Sequence, residues 1–111
     1  MAWYAYAAYF AGGVFLGNSI PHLVNGTSGR PFPTPFASPP GKGLSSALAN
    51  VFWGLLNLVV AYFLLVRAGE FDIHNLADAG AFGAGIALMS IVSALGFGRL
   101  HGSSASQGVS S

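Results

Sequence analysis

Asn50, Gly54, Asn57 and Ala61 are spaced four, three and four residues apart, the interval that lines side chains up along one face of a helix. A carboxamide carries both donors and acceptors, and in an apolar segment those groups must find partners. Two roles suit such a face. It hydrogen-bonds to a neighbouring helix, each contact contributing about 0.6–2 kcal/mol, or it lines a polar path or ligand pocket. The segment holds no charge to mark a transport route, which favours the first role.

Three histidines, His22, His74 and His101, raise the question of metal or haem ligation. His22 and His101 have no second histidine or carboxylate at ligand spacing. His74 lies in Asp72-Ile-His-Asn-Leu-Ala-Asp78, which has the residue types of a weak divalent site without a known ligand geometry. No metal and no cofactor is therefore expected. No catalytic set is expected either. The apolar segments contain no acid, Ser90 and Ser93 lack an evident base, and no nucleophile elbow, HExxH motif or phosphate-binding loop occurs. Cysteine is absent, so disulfides, thiolate metal sites and cysteine nucleophiles are excluded.

The stretch between residues 21 and 43 is the most individual part of the chain. It holds all six prolines together with Arg30, Phe32 and Phe36. A plain solvated linker needs neither aromatics nor so many prolines. His22, Arg30, Phe32 and Phe36 are accordingly the candidates for a docking or gating role. Arg30 would reach a lipid phosphate or a carboxylate, and the two phenylalanines would insert at an interface.

These residues must be positioned by helices in lipid. Of 111 residues, 53% are hydrophobic and 6% are charged, against roughly a quarter charged in an ordinary soluble domain. So few charges cannot cover a soluble fold, whose apolar surface would aggregate. The net charge of +1, with no basic cluster, offers nothing to nucleic acid.

The charges sit at Arg30, Lys42, Arg67, Glu70, Asp72, Asp78 and Arg99. They leave three apolar blocks near the ~20 residues a spanning helix needs. The expected fold is an all-α integral membrane protein with three transmembrane helices, over about 2–20, 47–66 and 76–97. A Pro-rich loop at 21–43 joins the first two. Together these make a single domain over 1–101, followed by a flexible Ser/Gly tail at 102–111. Pro21 is expected to end the first helix by denying it a donor. Trp3, Tyr4, Tyr6 and Tyr9 would form an interfacial belt on that helix, which reads as a retained span with no basic leader before it. Ser45 or Ser46 would cap the second, and Gly69 would take a left-handed conformation past its end. Asn75 and Asp78 have capping-box spacing for the third.

Small residues four apart let helices approach closely. Gly13 with Gly17 on the first span, and Gly80 with Ala84 and Gly83 with Ala87 on the third, are the main packing candidates. Ala81 with Gly85 is a further pair. Arg30, Lys42 and Arg99 stand against Arg67 across the membrane, so the positive-inside rule puts the first loop and C-terminus in the cytoplasm. A bacterial inner membrane is the expected location. The expected partners are the lipid bilayer and other membrane subunits or further copies in a homo-oligomer. The function read from this is a non-enzymatic accessory or structural subunit. The alternative is a small homo-oligomeric channel or transporter lined by Asn50 and Asn57.

Overall fold

The computed structural model describes residues 3–100; residue 2, His101 and the tail at 102–111 lie outside the described residues. Three helices, α1 (Trp3–Thr27), α2 (Ala47–Val66) and α3 (Leu76–Leu100), carry most of the chain. Between α1 and α2 a minimal antiparallel ladder pairs β1 (Phe32–Pro33) with β2 (Leu44–Ser45).

The central helix is α1, which packs along both α2 and α3, while α2 and α3 make little contact with each other. Gly26 at the end of α1 meets the start of α2, and Gly69 just beyond α2 meets Ala5 near the start of α1. The two helices therefore run antiparallel. Gly13 and Gly17 meet Phe82 and Met89 in the same chain order, so α1 and α3 run parallel.

Pro21 does not end α1. The helix continues to Thr27, with Pro21 inside it. Proline removes the donor for one carbonyl, at a cost that neighbouring packing can offset. The last turns of α1 are held by α2: a methyl group on Gly26 would come within 2.7 Å of the Ala47 carbonyl oxygen. Side chains also occupy carbonyls there. Asn25 donates Nδ2–H to Pro21 O at 2.7 Å, and Ser28 donates its hydroxyl to Val24 O at 2.6 Å. His22 thus belongs to a helix and not to the loop.

Ser46 caps α2, accepting from Ala49 N at 3.1 Å. Gly69 is not left-handed; the positive-φ glycines are Gly29 and Gly41, both in the α1–α2 loop. Gly69 instead makes room for a tyrosine, since a methyl group on it would meet Tyr9 Oη at 2.6 Å. At the start of α3, Asn75 Oδ1 accepts from Asp78 N at 3.1 Å. The reciprocal half of the capping box is replaced, because Asp78 Oδ2 accepts from Asp72 N at 3.0 Å.

The crossing of α1 and α3 is set by two glycines. A methyl group on Gly13 would lie 2.0 Å from Phe82 O, and one on Gly85 would lie 2.0 Å from Phe10 O. Each helix puts a glycine against the backbone of the other, the arrangement that small residues permit. Gly17 continues the contact against Met89. Gly80 and Gly83 meet nothing within 4 Å, and Ala84 and Ala87 are exposed. Within the chain, therefore, Gly85 makes the contact expected of the Gly80–Ala84 and Gly83–Ala87 pairs, which sit on the opposite face of α3.

Burial runs against the usual pattern. The largest fully buried side chains are Tyr9, Asn50, Asn57, Thr34, Asp78, Pro33 and Ser19. Leu48, Phe52, Leu56, Phe63, Ile91 and Leu95 are exposed. Among the described residues, α2 and α3 are the two helices long and apolar enough to cross a membrane. The polar residues Asn18, Ser19 and His22 lower the apolarity of α1.

Candidate functional site

The buried residues of α2 are Asn50, Gly54, Asn57 and Ala61, and this face is turned towards α1. Gly54 gives space to Leu23, whose Cγ would be 2.7 Å from an added methyl group. Asn57 Oδ1 accepts from Asn18 Nδ2 at 3.0 Å, while its own Nδ2 donates to Trp53 O at 2.7 Å. The seam is a contact inside the chain.

Asn50 is the hub. Its Nδ2 lies 3.0 Å from Phe32 O, 3.2 Å from Ser45 O and 3.0 Å from Ser46 O. One amide group thus ties β1, β2 and the first turn of α2 together. Three acceptors around Nδ2 fix the orientation of the carboxamide and leave Oδ1 to His22 Nδ1, at 2.7 Å. A carbonyl oxygen only accepts, so His22 carries its proton on Nδ1. In the neutral ring Nε2 is then an acceptor.

Aromatic rings surround this imidazole. Phe32 meets it edge-on at 5.4 Å between ring centroids, Trp53 at 6.4 Å and Phe97 at 6.4 Å. Phe32 and Phe97 are themselves 4.5 Å apart. His22, Asn18, Thr34, Trp53 and Phe97 line a cavity of about 120 Å³. That volume corresponds to a few water molecules at ~30 Å³ each. The Trp53 indole Nε1 is buried without a hydrogen-bond partner. With a histidine acceptor and the Asn18 and Thr34 side chains around it, the cavity suits water or a small polar molecule. Among the described residues no carboxylate bonds His22, so the ring lacks the acid partner of a catalytic pair.

No family model, no curated protein and no solved structure matches this chain.

The loop candidates divide between inside and outside. His22 and Phe32 are buried, so Phe32 packs inside the fold and does not insert at an interface. Phe36 is exposed and leans on Trp53 with ring centroids 5.6 Å apart. The exposed Arg30 donates from Nε to Asn25 Oδ1 at 3.2 Å, tying the loop to the end of α1. Thr34 and Ser45 share a hydrogen bond between hydroxyls and close the ladder.

His74 stays away from this group, at the exposed far end, with Nδ1 3.4 Å from Asp72 Oδ1. Among the described residues no three His, Cys, Asp or Glu side chains converge to hold a metal. That far end has a buried polar pair of its own. Tyr9 Oη and Asp78 Oδ1 are both buried without a partner, with the Phe71 ring 5.0 Å from that of Tyr9.

Sequence reasoning missed Asn18, Trp53, Thr34 and Phe97. Trp53 and Asn18 left a usable signal: Trp53 follows Asn50 by one helical turn, and Asn18 precedes His22 by one. Thr34 and Phe97 left none, because only the folded chain brings them beside α1.

Proposed function

We propose that this chain is a multi-pass membrane protein that crosses a bilayer three times. It works without catalysis, as a packing subunit that joins a second copy or a larger membrane complex through α3. The membrane part is supported by the inverted burial, with amides, hydroxyls and a carboxylate inside and leucine, isoleucine and phenylalanine outside. In lipid a buried polar group needs an internal partner, and α1 supplies one to each asparagine of α2, through Asn18 and His22. It crosses as the middle helix because its polar side chains are spent on α2. The exposed Trp3 and Tyr4 at its start suit the headgroup region.

One observation carries the association. Only 6% of the apolar stretch of α3 is buried, and its outward face presents Gly80, Gly83, Ala84 and Ala87. The outward face of α2 is built from Leu48, Phe52, Leu55, Val59 and Phe63. Bulky residues suit lipid chains, whereas small ones let a second helix come close. The loop and the end of α3 share one end of the molecule, where Phe32 meets Phe97. Arg30, Lys42 and Arg99 at that end favour the cytoplasmic side of a bacterial inner membrane.

The test is mild detergent extraction at native expression followed by cross-linking and mass spectrometry. A stable assembly, with itself or with other polypeptides, is expected. A uniform monomer without companions would overturn the association.

A further inference from the structure

We propose that the cleft beside the C-terminal half of α3 binds an anionic phospholipid, with the phosphate between Lys42 and Arg99 and an acyl chain along Met89, Val92 and Phe97. The cleft is about 540 Å³ and is lined by those residues with Gly41, Ser93 and Gly96. Its volume falls in the range of small-molecule clefts. The chain has only four Lys and Arg residues, and two of them line this cleft from separate elements, Lys42 from the loop and Arg99 from α3. No acid lines the cleft, and neither cation has an ion pair among the described residues.

A second observation points to a ligand. Ser93 and Phe97 also border an adjoining apolar cleft of about 430 Å³, between α1 and α3, lined by Gly17, Ile20 and Val24. Two apolar troughs on either side of one ridge suit the two chains of a phospholipid. Charge complementarity selects the headgroup: two cations at the end of an apolar helix attract phosphatidylglycerol over a zwitterionic lipid. The apolar walls select a lipid over a soluble anion. This site rests on the membrane reading.

The test has two arms. In the first, flotation with vesicles after alkaline washing reads membrane insertion alone. In the second, delipidated protein is titrated with phosphatidylglycerol or phosphatidylcholine of the same chains, and retained lipid is counted by native mass spectrometry. We expect phosphatidylglycerol to be retained about tenfold better, and the preference to vanish in a Lys42→Gln, Arg99→Gln variant that still floats. Equal retention by the wild type, an unchanged preference in the double variant, or equally tight binding of inorganic phosphate alone would overturn the lipid site while leaving insertion standing. Failure to float would remove the membrane reading itself.

Discussion

The carboxamide of Asn50 gives its oxygen to His22 Nδ1, 2.7 Å away, and its nitrogen to the Phe32 carbonyl, 3.0 Å away. A residue on α2 therefore holds α1 with one end and the proline-rich loop with the other. The loop is tied down at its root, beside the aromatic rings around His22.

Asn50→Ala should be the most damaging single change in the polar seam. It would leave the His22 Nδ1–H buried without its acceptor, at about 1–3 kcal/mol, and would remove the amide that ties the Phe32, Ser45 and Ser46 carbonyls together. We expect thermal unfolding in detergent well below wild type, with new proteolytic cleavage between residues 28 and 46. Asn57→Ala, which gives up the contact with Asn18, should cost about 0.6–2 kcal/mol and leave the loop resistant. Equal cleavage in both variants would count against the hub.

The glycines of α3 should separate cleanly. Gly85→Ala and Gly13→Ala put a methyl group 2.0 Å from a backbone oxygen of the facing helix, so the helices must move apart. A loss of several kcal/mol is expected, at the upper end of overpacking effects at ~1–3 kcal/mol or more. Gly83→Ala meets nothing within 4 Å and should leave the monomer as stable or slightly more so, by up to about 1 kcal/mol. Unfolding in mixed detergent measures both; a Gly85→Ala protein as stable as wild type would contradict the close crossing.

Much of the helix layout was legible in the sequence. The bounds of α2 follow from Ser46 at one end and Arg67 at the other, and Asn75 marks the start of α3. The seam of Asn50 and Asn57 was legible because polar residues stand out in an apolar run. Its partners were not, because His22 and Asn18 belong to another helix and no local spacing relates them. The packing face of α3 was ambiguous for a physical reason. Gly80, Gly83 and Gly85 all sit in small-residue patterns, and a helix apolar on every side offers no polar stripe to choose among them. The end of α1 was missed because proline chemistry is local, whereas Gly26 against Ala47 and Val51 is tertiary.

Pro21→Ala offers a check on that last point. The substitution restores a donor for the carbonyl one turn earlier, a gain of about 1 kcal/mol at most. Stability should rise slightly, with the His22–Asn50 contact kept. A marked loss of stability would mean that the proline shapes α1 and is not merely tolerated.

Phe36 and Phe32 should behave differently despite their similar setting in the sequence. Phe32→Ala empties a buried position between His22 and Phe97 and should cost about 3–5 kcal/mol. Phe36 is exposed, so Phe36→Ala should change stability by under about 1 kcal/mol. Chemical denaturation of the two variants side by side measures the difference.

The outward face of α3 is the centre of the account, and the absence of cysteine from the chain makes it directly testable. Ala87→Cys and, as a lipid-facing control on α2, Val59→Cys would each be labelled with a photoactivatable maleimide in native membranes and irradiated. The account predicts a protein adduct at position 87, with a second copy or another subunit, and lipid adducts alone at position 59. Lipid adducts alone at both positions would contradict it.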